Sequence, residues 1–544
     1  MVKTTRTRTP LPRQAAPSAA YAQAAAACWP GARIWDYLRY DGEGYLWVND
    51  LRIVDAIRRY GTPLEIVDTT ILERRAGEWQ RLAAAVAREV GYSGRLQYLY
   101  AAKANMASEI TCAAYRSGWH AETSSQQDLN NLQWLRQHDL LPKDLRVVCN
   151  GFKLPPASLG WPWPEESELV AAGHHLASRV DLPEVRNMPR QREAPYAEMI
   201  ARMARQGWDI TPILDQGELD FFAAPGMPEL KVGLRLKFGP VRTFADLDAL
   251  VSRFGLDRHA LAAAAGAIDR APHLTFTTLH AMVGAAETIP PEHFVESLLL
   301  GVRIWADLRR RHETLVELNM GGGVPPLSDP YDHAGFLRAF LGGLIPICAA
   351  AGVPVPNVTF EFGSLLAAEA GFHVFKVVAE KLNHGAVEGE PASWAIVNGG
   401  LMAAIPDMLL IGKEFRILAA EHAKEPARRV RLGDVTCDSD GRYPPKHFGP
   451  HAAILLPQTD GELHVVIQGV GAYQELLAGV RGAHHCGLLE AVELILERHA
   501  DGGVVGRLMP RQTHREAAAL LGYDEAAVPA LRAALRRMED GGRA

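Results

Sequence analysis

Residues 71–103, ILERRAGEWQRLAAAVAREVGYSGRLQYLYAAK, set the pattern that decides the fold. Their first two-thirds space apolar residues as a helix does, and LQYLYAA then runs as a continuous, β-rich apolar segment ending on Lys103. A continuous run, rather than an alternating one, marks a strand buried on both faces. The same order recurs from about residue 63 to 365, with strand-like runs LQYLYAA, LRVVCN, HHLASRV, ITPILD, KVGLRLK, LTFTTLH, TLVELNM and VTFEF. Repeated β-then-α order gives a parallel sheet, and about eight runs over roughly 300 residues give a closed (β/α)8 barrel rather than an open sheet.

After about residue 370 the texture changes. The runs GFHVFKVVAEK, SWAIVNGG, AAILLP and LHVVIQGV are short and separated by Gly, Pro and Asp turns, the mark of an antiparallel β domain. RYDGEGYLWVNDLRIV near the N-terminus also reads as strands that join this domain, whereas LLEAVELILERHA and the stretch from REAAALLG onward read as a helical tail. The expected organisation is a flexible basic arm at 1–34, N-terminal strands at 35–62, the barrel at 63–369, the β domain at 370–490 and the helical tail at 491–544. KLPPASLGWPWPEES (153–167) is expected to be a loop without chemistry of its own.

The 544 residues are 48% hydrophobic and 22% charged, a globular composition too long for one core. A net charge of −6 provides no basic surface for nucleic acid, and no apolar run is expected to cross a bilayer, which needs about 18 residues. Six scattered cysteines without CxxC spacing suggest neither a disulfide framework nor a thiolate zinc site, and fit a reducing cytoplasm. The adjacent His484, His485 and Cys486 look like ligands, but neighbouring residues rarely point at one ion, so no metal site is assigned.

Chemically loaded residues stand where the barrel strands end, the face on which barrel enzymes carry their sites. They are Lys103 in YAAKANM, His280 in TLHAMVGA, Gly321, Gly322 and Gly323 in LNMGGGVPP, and Glu361 in TFEFGS. Further along lie Cys437 among Asp434, Asp438 and Asp440 in GDVTCDSDG, and Tyr473 in GAYQE. A lysine at a strand end can carry an aldehyde, and residues without Cβ let backbone N–H groups close around a phosphate. A buried carboxylate such as Glu361 requires a partner, which either a barrel-rim cation or a protonated pyridine nitrogen supplies.

With these segments in order, the chain resembles the alanine-racemase-type barrel decarboxylases that use pyridoxal 5'-phosphate. Within them it is similar to the biosynthetic arginine decarboxylases, from about Trp35 to about residue 490. The stretches IPDMLLIGKEFRIL, LGDVTCDSDGRYP and GAYQE carry the arginine branch, with CNGFK (149–153) and SRFGLD (252–257) pointing the same way. The resemblance implies that Lys103 holds the cofactor covalently, that Gly321–Gly323 and Tyr473 bind its phosphate, and that Glu361 pairs with its ring nitrogen. Arg235 would support the site. Cys437 would cross a dimer interface to reprotonate Cα, with Asp438 and, less directly, Asp440 receiving the distal cation of the substrate.

Three positions depart from the family's pattern. Its His-x-His-x-Gly-Ser is here His280-Ala281-Met282-Val283-Gly284-Ala285, so Met282 stands at the ring-stacking position and Ala285 at the serine. Ser364 stands where the family has a phosphate-binding arginine. His280, on the same strand face as Met282, is retained as a cofactor-side residue. The helical bundle that biosynthetic arginine decarboxylases insert before the β domain has no counterpart, since about thirty residues separate EFGS from WAIVNGG.

The expected activity is decarboxylation of a basic amino acid, L-arginine to agmatine in polyamine synthesis, by a cytoplasmic homodimer with shared active sites. The family's magnesium dependence is implied in the same way. Ornithine, lysine, diaminopimelate or a specialised amino acid are alternative substrates, and a catalytically weak binding homologue is the alternative of another class.

Overall fold

The computed structural model describes residues 20–153 and 195–523, apart from 387, 392 and 500, together with positions 525, 528, 529, 532, 533 and 536. The run HHLASRV, nearly all of the 153–167 loop and residues 1–19 lie outside the described residues.

Eight parallel strands close into a barrel. In chain order they are β1 (Leu96–Ala101), β2 (His120–Thr123), β3 (Arg146–Cys149), β4 (Asp209–Leu214), β5 (Leu230–Arg235), β6 (Leu274–His280), β7 (Glu317–Asn319) and β8 (Asn357–Phe362). Each pairs with its sequence neighbours, and β8 closes on β1. Seven of the expected apolar runs supply strands. The eighth place belongs to β2, whose sequence HAET has no apolar run; it is a strand because β1 and β3 pair with it on both sides.

The period-2 alternation of the strands stacks the barrel interior in layers. At the N-terminal end, Arg146 donates to Glu317 at 2.7 Å and to Gln97 at 2.6 Å, while Thr359 donates to Glu317 at 2.7 Å. Leu99, Val148 and Ile213 form a separate apolar plug above them. Asn150 stands two residues beyond Val148 and Glu361 two residues beyond Thr359, beside Glu122, His280 and Asn319. The apolar plug thus separates a structural polar layer from a polar layer at the C-terminal mouth.

Helices enclose the barrel. Thr69–Val90 starts on Asp68, whose side chain accepts from the Thr70 amide, and Gln126–Gln137 starts with a capping box between Ser125 and Asp128. His333–Ala351 corrects the expectation that no segment has the length and apolarity of a membrane span. This 19-residue helix holds an 18-residue stretch of mean hydropathy 1.7, which meets that description. In the fold it packs against Pro291–Arg309 and Thr69–Val90, burying Phe336, Leu337, Phe340, Leu341 and Leu344.

A second, ten-stranded sheet, mostly antiparallel, draws on both ends of the chain. Its centre is Gly371–Leu382, paired antiparallel with Leu64–Asp68, Ser393–Val397 and His464–Gln468. Leu38–Tyr40, Leu46–Val48 and Leu51–Arg52 pair with one another in a separate three-stranded sheet, and their apolar residues enter the same core as the large sheet.

Two local expectations are corrected. Residues 21–28, assigned to a flexible arm, form a helix that buries Tyr21, Ala24, Ala25 and Cys28 and packs against Ile454–Pro457. The Tyr21 hydroxyl accepts the Ala419 amide at 2.9 Å. The first part of the segment assigned to a helical tail forms strands Val492–Arg498 and Val504–Met509 instead, while His514–Leu520 is helical as expected. Val492–Arg498 pairs parallel to Leu64–Asp68, so a pairing across more than 400 residues overrides a helical local pattern.

That pairing sets Glu493 beside Glu65, with His373 on the other side of Glu65. Burial raises Glu65 and Glu493 each to about 8, helped by Glu490 and Glu109 nearby; Glu475 adds to the rise at Glu493 and, by hydrogen bonding, opposes it at Glu65, while burial lowers His373. A carboxyl whose pKa is raised on folding stabilises most fully below its unfolded value, and that contribution is lost as pH rises through the folded one. His373, neutral when buried, acts in the opposite sense below its unfolded value of 6.5. The expected result is a thermal midpoint that falls between pH 6.5 and 8, and a smaller fall in Glu65→Gln, followed by circular dichroism.

Candidate active site

The barrel mouth gathers Lys103, Glu122, Asn150, His280, Asn319 and Glu361. Lys103 sits in the single turn Ala102–Ala104 that follows β1, where an apolar strand ends and its side chain opens into the mouth. Its Nζ lies 3.7 Å from the Glu122 Oε2, the lysine half exposed and the glutamate fully buried. Glu122 raises the Lys103 pKa, and burial raises that of Glu122. Among the described residues the Glu122 Oε2 has no hydrogen-bond donor, which leaves it free to exchange a proton with the lysine.

Glu361, at the end of β8, is held from three strands. Asn319 donates to Oε1 at 2.7 Å, while Asn150 at 2.8 Å and His280 Nε2 at 3.2 Å reach Oε2. Burial opposes the charge on Glu361, but His280, Lys103 and Asn150 outweigh it and hold the carboxyl at about 2. Burial lowers the His280 pKa, and its Nδ1 has no hydrogen-bond partner among the described residues. Asn150 also donates to Glu122 Oε1 at 2.8 Å and so ties the two carboxylates together. Behind it, Lys153 is wholly buried; its ammonium bonds the Asn150 and Gly151 carbonyls and pairs with Glu218 at 3.2 Å.

The glycine loop follows β7. Gly321 and Gly323 have φ of 68° and 94°, and a Cβ on Gly323 would stand 1.9 Å from the Gly284 carbonyl. A Cβ on Gly322 would stand 2.2 Å from the Glu361 carbonyl, so glycine is required where this loop crosses β8 and the segment after β6. Met282 lies on the loop, its sulfur accepting the Gly322 amide at 3.3 Å, and the Gly321 amide donates to Asn319. Tyr473, at φ 69°, donates its amide to the Ala104 carbonyl at 2.6 Å and so abuts the Lys103 turn. Ser364 opens the short helix Ser364–Ala367 directly after Gly363, which packs on Ala104. Arg235, at the end of β5 beside His280, lies with its guanidinium 4.3 Å over the Phe254 ring.

Cys437, Asp438 and Asp440 stand apart from this group, in the turn after the strand Ala427–Asp434 of the β domain. Their contacts there are local. The Cys437 sulfur is 3.6 Å from that of Cys486, Asp438 is 3.7 Å from His485, and Asp440 pairs with Lys446 at 3.1 Å. Hydrogen bonding to Cys486 raises the Cys437 pKa, which keeps the thiol protonated.

Glu122, Asn150 and Asn319 are the site residues that the sequence reading did not assign. Asn150 and Asn319 each end an apolar strand run, in VVCN and VELN, as Lys103 and Glu361 do; that position was the available signal. Glu122 had none, because HAET has no apolar run to mark it as a strand.

A scan against protein-family models finds no match for the chain, and a search of curated proteins finds none. Among solved structures, the chain is similar to the biosynthetic arginine decarboxylase SpeA from Campylobacter jejuni, with TM-score 0.69 and 17% identity over 92% of this chain and 93% of that one. It is similar to diaminopimelate decarboxylase from M. jannaschii, with TM-score 0.65 and 16% identity over 89% and 97% of the two chains. Lysine decarboxylase from Selenomonas ruminantium follows at TM-score 0.53 and 17% identity, over 78% and 91%. The closed parallel barrel with its separate, mostly antiparallel sheet is the alanine-racemase-type fold of these decarboxylases.

Proposed function

We propose that the chain is a pyridoxal-phosphate decarboxylase of a basic amino acid, with L-arginine as substrate and agmatine and CO2 as products. The observation that carries this reading is the pairing, in one barrel mouth, of the Lys103 amine beside Glu122 with a Glu361 carboxylate held ionised by three donors. The likeness in fold to decarboxylases of arginine, diaminopimelate and lysine supports it.

The residues present fit the cofactor. Lys103 would hold its aldehyde carbon and Glu361 its ring nitrogen, with His280 and Met282 beside the ring and Arg235 supporting it. Gly321, Gly322, Gly323, Ser364 and Tyr473 would surround its phosphate, in a loop that admits no Cβ at Gly322 or Gly323. When bound, pyridoxal phosphate supplies a sink for the electrons left behind as CO2 departs.

The chain's own residues then have distinct tasks. Glu122 Oε2 receives the proton that the Lys103 ammonium must lose before its nitrogen can act as a nucleophile. Asn150 and Asn319 fix the Glu361 carboxylate and leave its charge to favour a protonated ring nitrogen. Cys437 returns a proton to Cα, and Asp438 and Asp440 meet the distal guanidinium. Those three residues act on a partner chain's mouth, which makes a homodimer the working unit.

Met282, which occupies the Gly322 amide, and Ser364, which brings no cation, favour a second reading: a homologue that binds the cofactor weakly or not at all. CO2 release by purified protein with added cofactor, compared across arginine, ornithine, lysine and diaminopimelate, decides between them. Release from arginine at a kcat/KM at least tenfold above the others is expected; release from another of the four reassigns the substrate, and release from none favours the second reading.

A further inference from the structure

Cys437 and Cys486 lie 49 residues apart in sequence and meet at the surface of the β domain. Cys437 belongs to the turn after Ala427–Asp434, and Cys486 to the single turn His485–Gly487. Both sulfurs and a ring nitrogen of His485 lie within 4.8 Å of one another, and all three residues are exposed.

The spacing of the sulfurs is informative. At 3.6 Å they are far beyond the roughly 2.05 Å of a disulfide. Two thiolates on one tetrahedral zinc, each about 2.3 Å from the metal, stand about 3.8 Å apart. The pair therefore already spans an edge of such a tetrahedron, and His485 stands close enough to occupy a third corner. Asp438, 3.7 Å from His485 Nε2, is placed to orient the imidazole as carboxylates do beside metal-bound histidines. Cys486 is held at φ 58° and ψ 17°, a conformation that non-glycine residues rarely adopt, in the turn that brings its sulfur to Cys437. His484 is not part of the group; its Nε2 bonds Glu490 at 2.8 Å.

We propose that Cys437, His485 and Cys486 form a binding site for a thiophilic divalent cation of the zinc class, whose occupancy withdraws the Cys437 thiol from proton transfer. Two thiolates and an imidazole select zinc-like ions over magnesium, which takes oxygen ligands. Binding replaces the protons of both thiols with the cation and releases two protons to solvent, so a loaded site has no S–H to offer at Cα. All three residues are exposed in the single chain, which provides an entry path. The inhibitory consequence rests on the decarboxylase reading; the binding site itself does not.

The test uses the full-length protein, reduced and metal-free, titrated anaerobically with Co2+. A thiolate-to-cobalt charge-transfer band that saturates at one ion per chain and is abolished by Zn2+ is expected. Cys486→Ser and His485→Ala should each weaken binding by at least about tenfold, since even the loss of an outer-shell partner costs that much. No such band, or an unchanged band in Cys486→Ser, overturns the site. In the activity arm, Zn2+ at the concentration that fills the site should silence CO2 release by the unmodified protein and spare Cys486→Ser, each read against its own rate without Zn2+. Equal inhibition of both overturns the regulatory role. A protein that decarboxylates none of the four substrates fails the functional reading, and the cobalt titration still decides the site.

Discussion

Lys103→Ala is expected to lower CO2 release by about three to five orders of magnitude, the scale on which loss of a residue that forms the covalent bond acts. Lys153, which lies behind Asn150, is wholly buried, bonded to two carbonyls and paired with Glu218. The substitution should not cost folding, because the Lys103 side chain is half exposed and its ion pair with Glu122 is 3.7 Å long. Removing the ammonium from beside a buried carboxylate raises the pKa of Glu122 further, and the carboxyl can then take up a proton. Kinetics with added pyridoxal phosphate, alongside an unchanged urea midpoint, check this prediction; a variant that keeps more than about a tenth of the activity would exclude covalent catalysis at Lys103.

Glu361→Gln should lower kcat by about two to three orders of magnitude, the effect seen when a preorganised charge-stabilising group is lost. The change keeps the side chain's size and removes its charge. It also brings a new amide donor against Asn150, Asn319 and His280, which already supply three donors to the two oxygens. One of these donors loses its acceptor in a buried site, at a cost of about 1–3 kcal/mol of stability. The two effects separate in measurement: kcat under saturating substrate reads the charge, and urea unfolding reads the unpaired donor. A variant with wild-type kcat would mean that Glu361 is a structural anchor for the strand ends and does not act on a ring nitrogen.

The barrel was legible because strands buried on both faces leave continuous apolar runs, and those of β1, β6 and β8 end on the polar residues that reach the mouth. β2 was not legible, since a four-residue strand with a buried glutamate has neither length nor hydrophobicity to mark it. Val492–Arg498 failed for another reason: VELILER carries a helical spacing of its apolar residues as well as strand-forming ones, and only its pairing with Leu64–Asp68 selects the strand. The site divides in the same way. Lys103, His280 and Glu361 stood out against their strands, whereas Glu122 had no run to mark it and the Asn150 and Asn319 strand ends were passed over. The cysteine cluster was half visible, because the sequence sets Cys486 beside His484 and His485, whereas the fold brings in Cys437 from 49 residues away and turns His484 to Glu490.

The central claim is that Lys103 in the barrel mouth holds pyridoxal phosphate. Purified protein incubated with the cofactor, reduced with borohydride, digested and mapped by mass spectrometry tests it most directly. The account predicts one phosphopyridoxyl adduct, on the peptide carrying Lys103, and none there in Lys103→Ala. An adduct confined to other lysines, or no adduct at all, would contradict it.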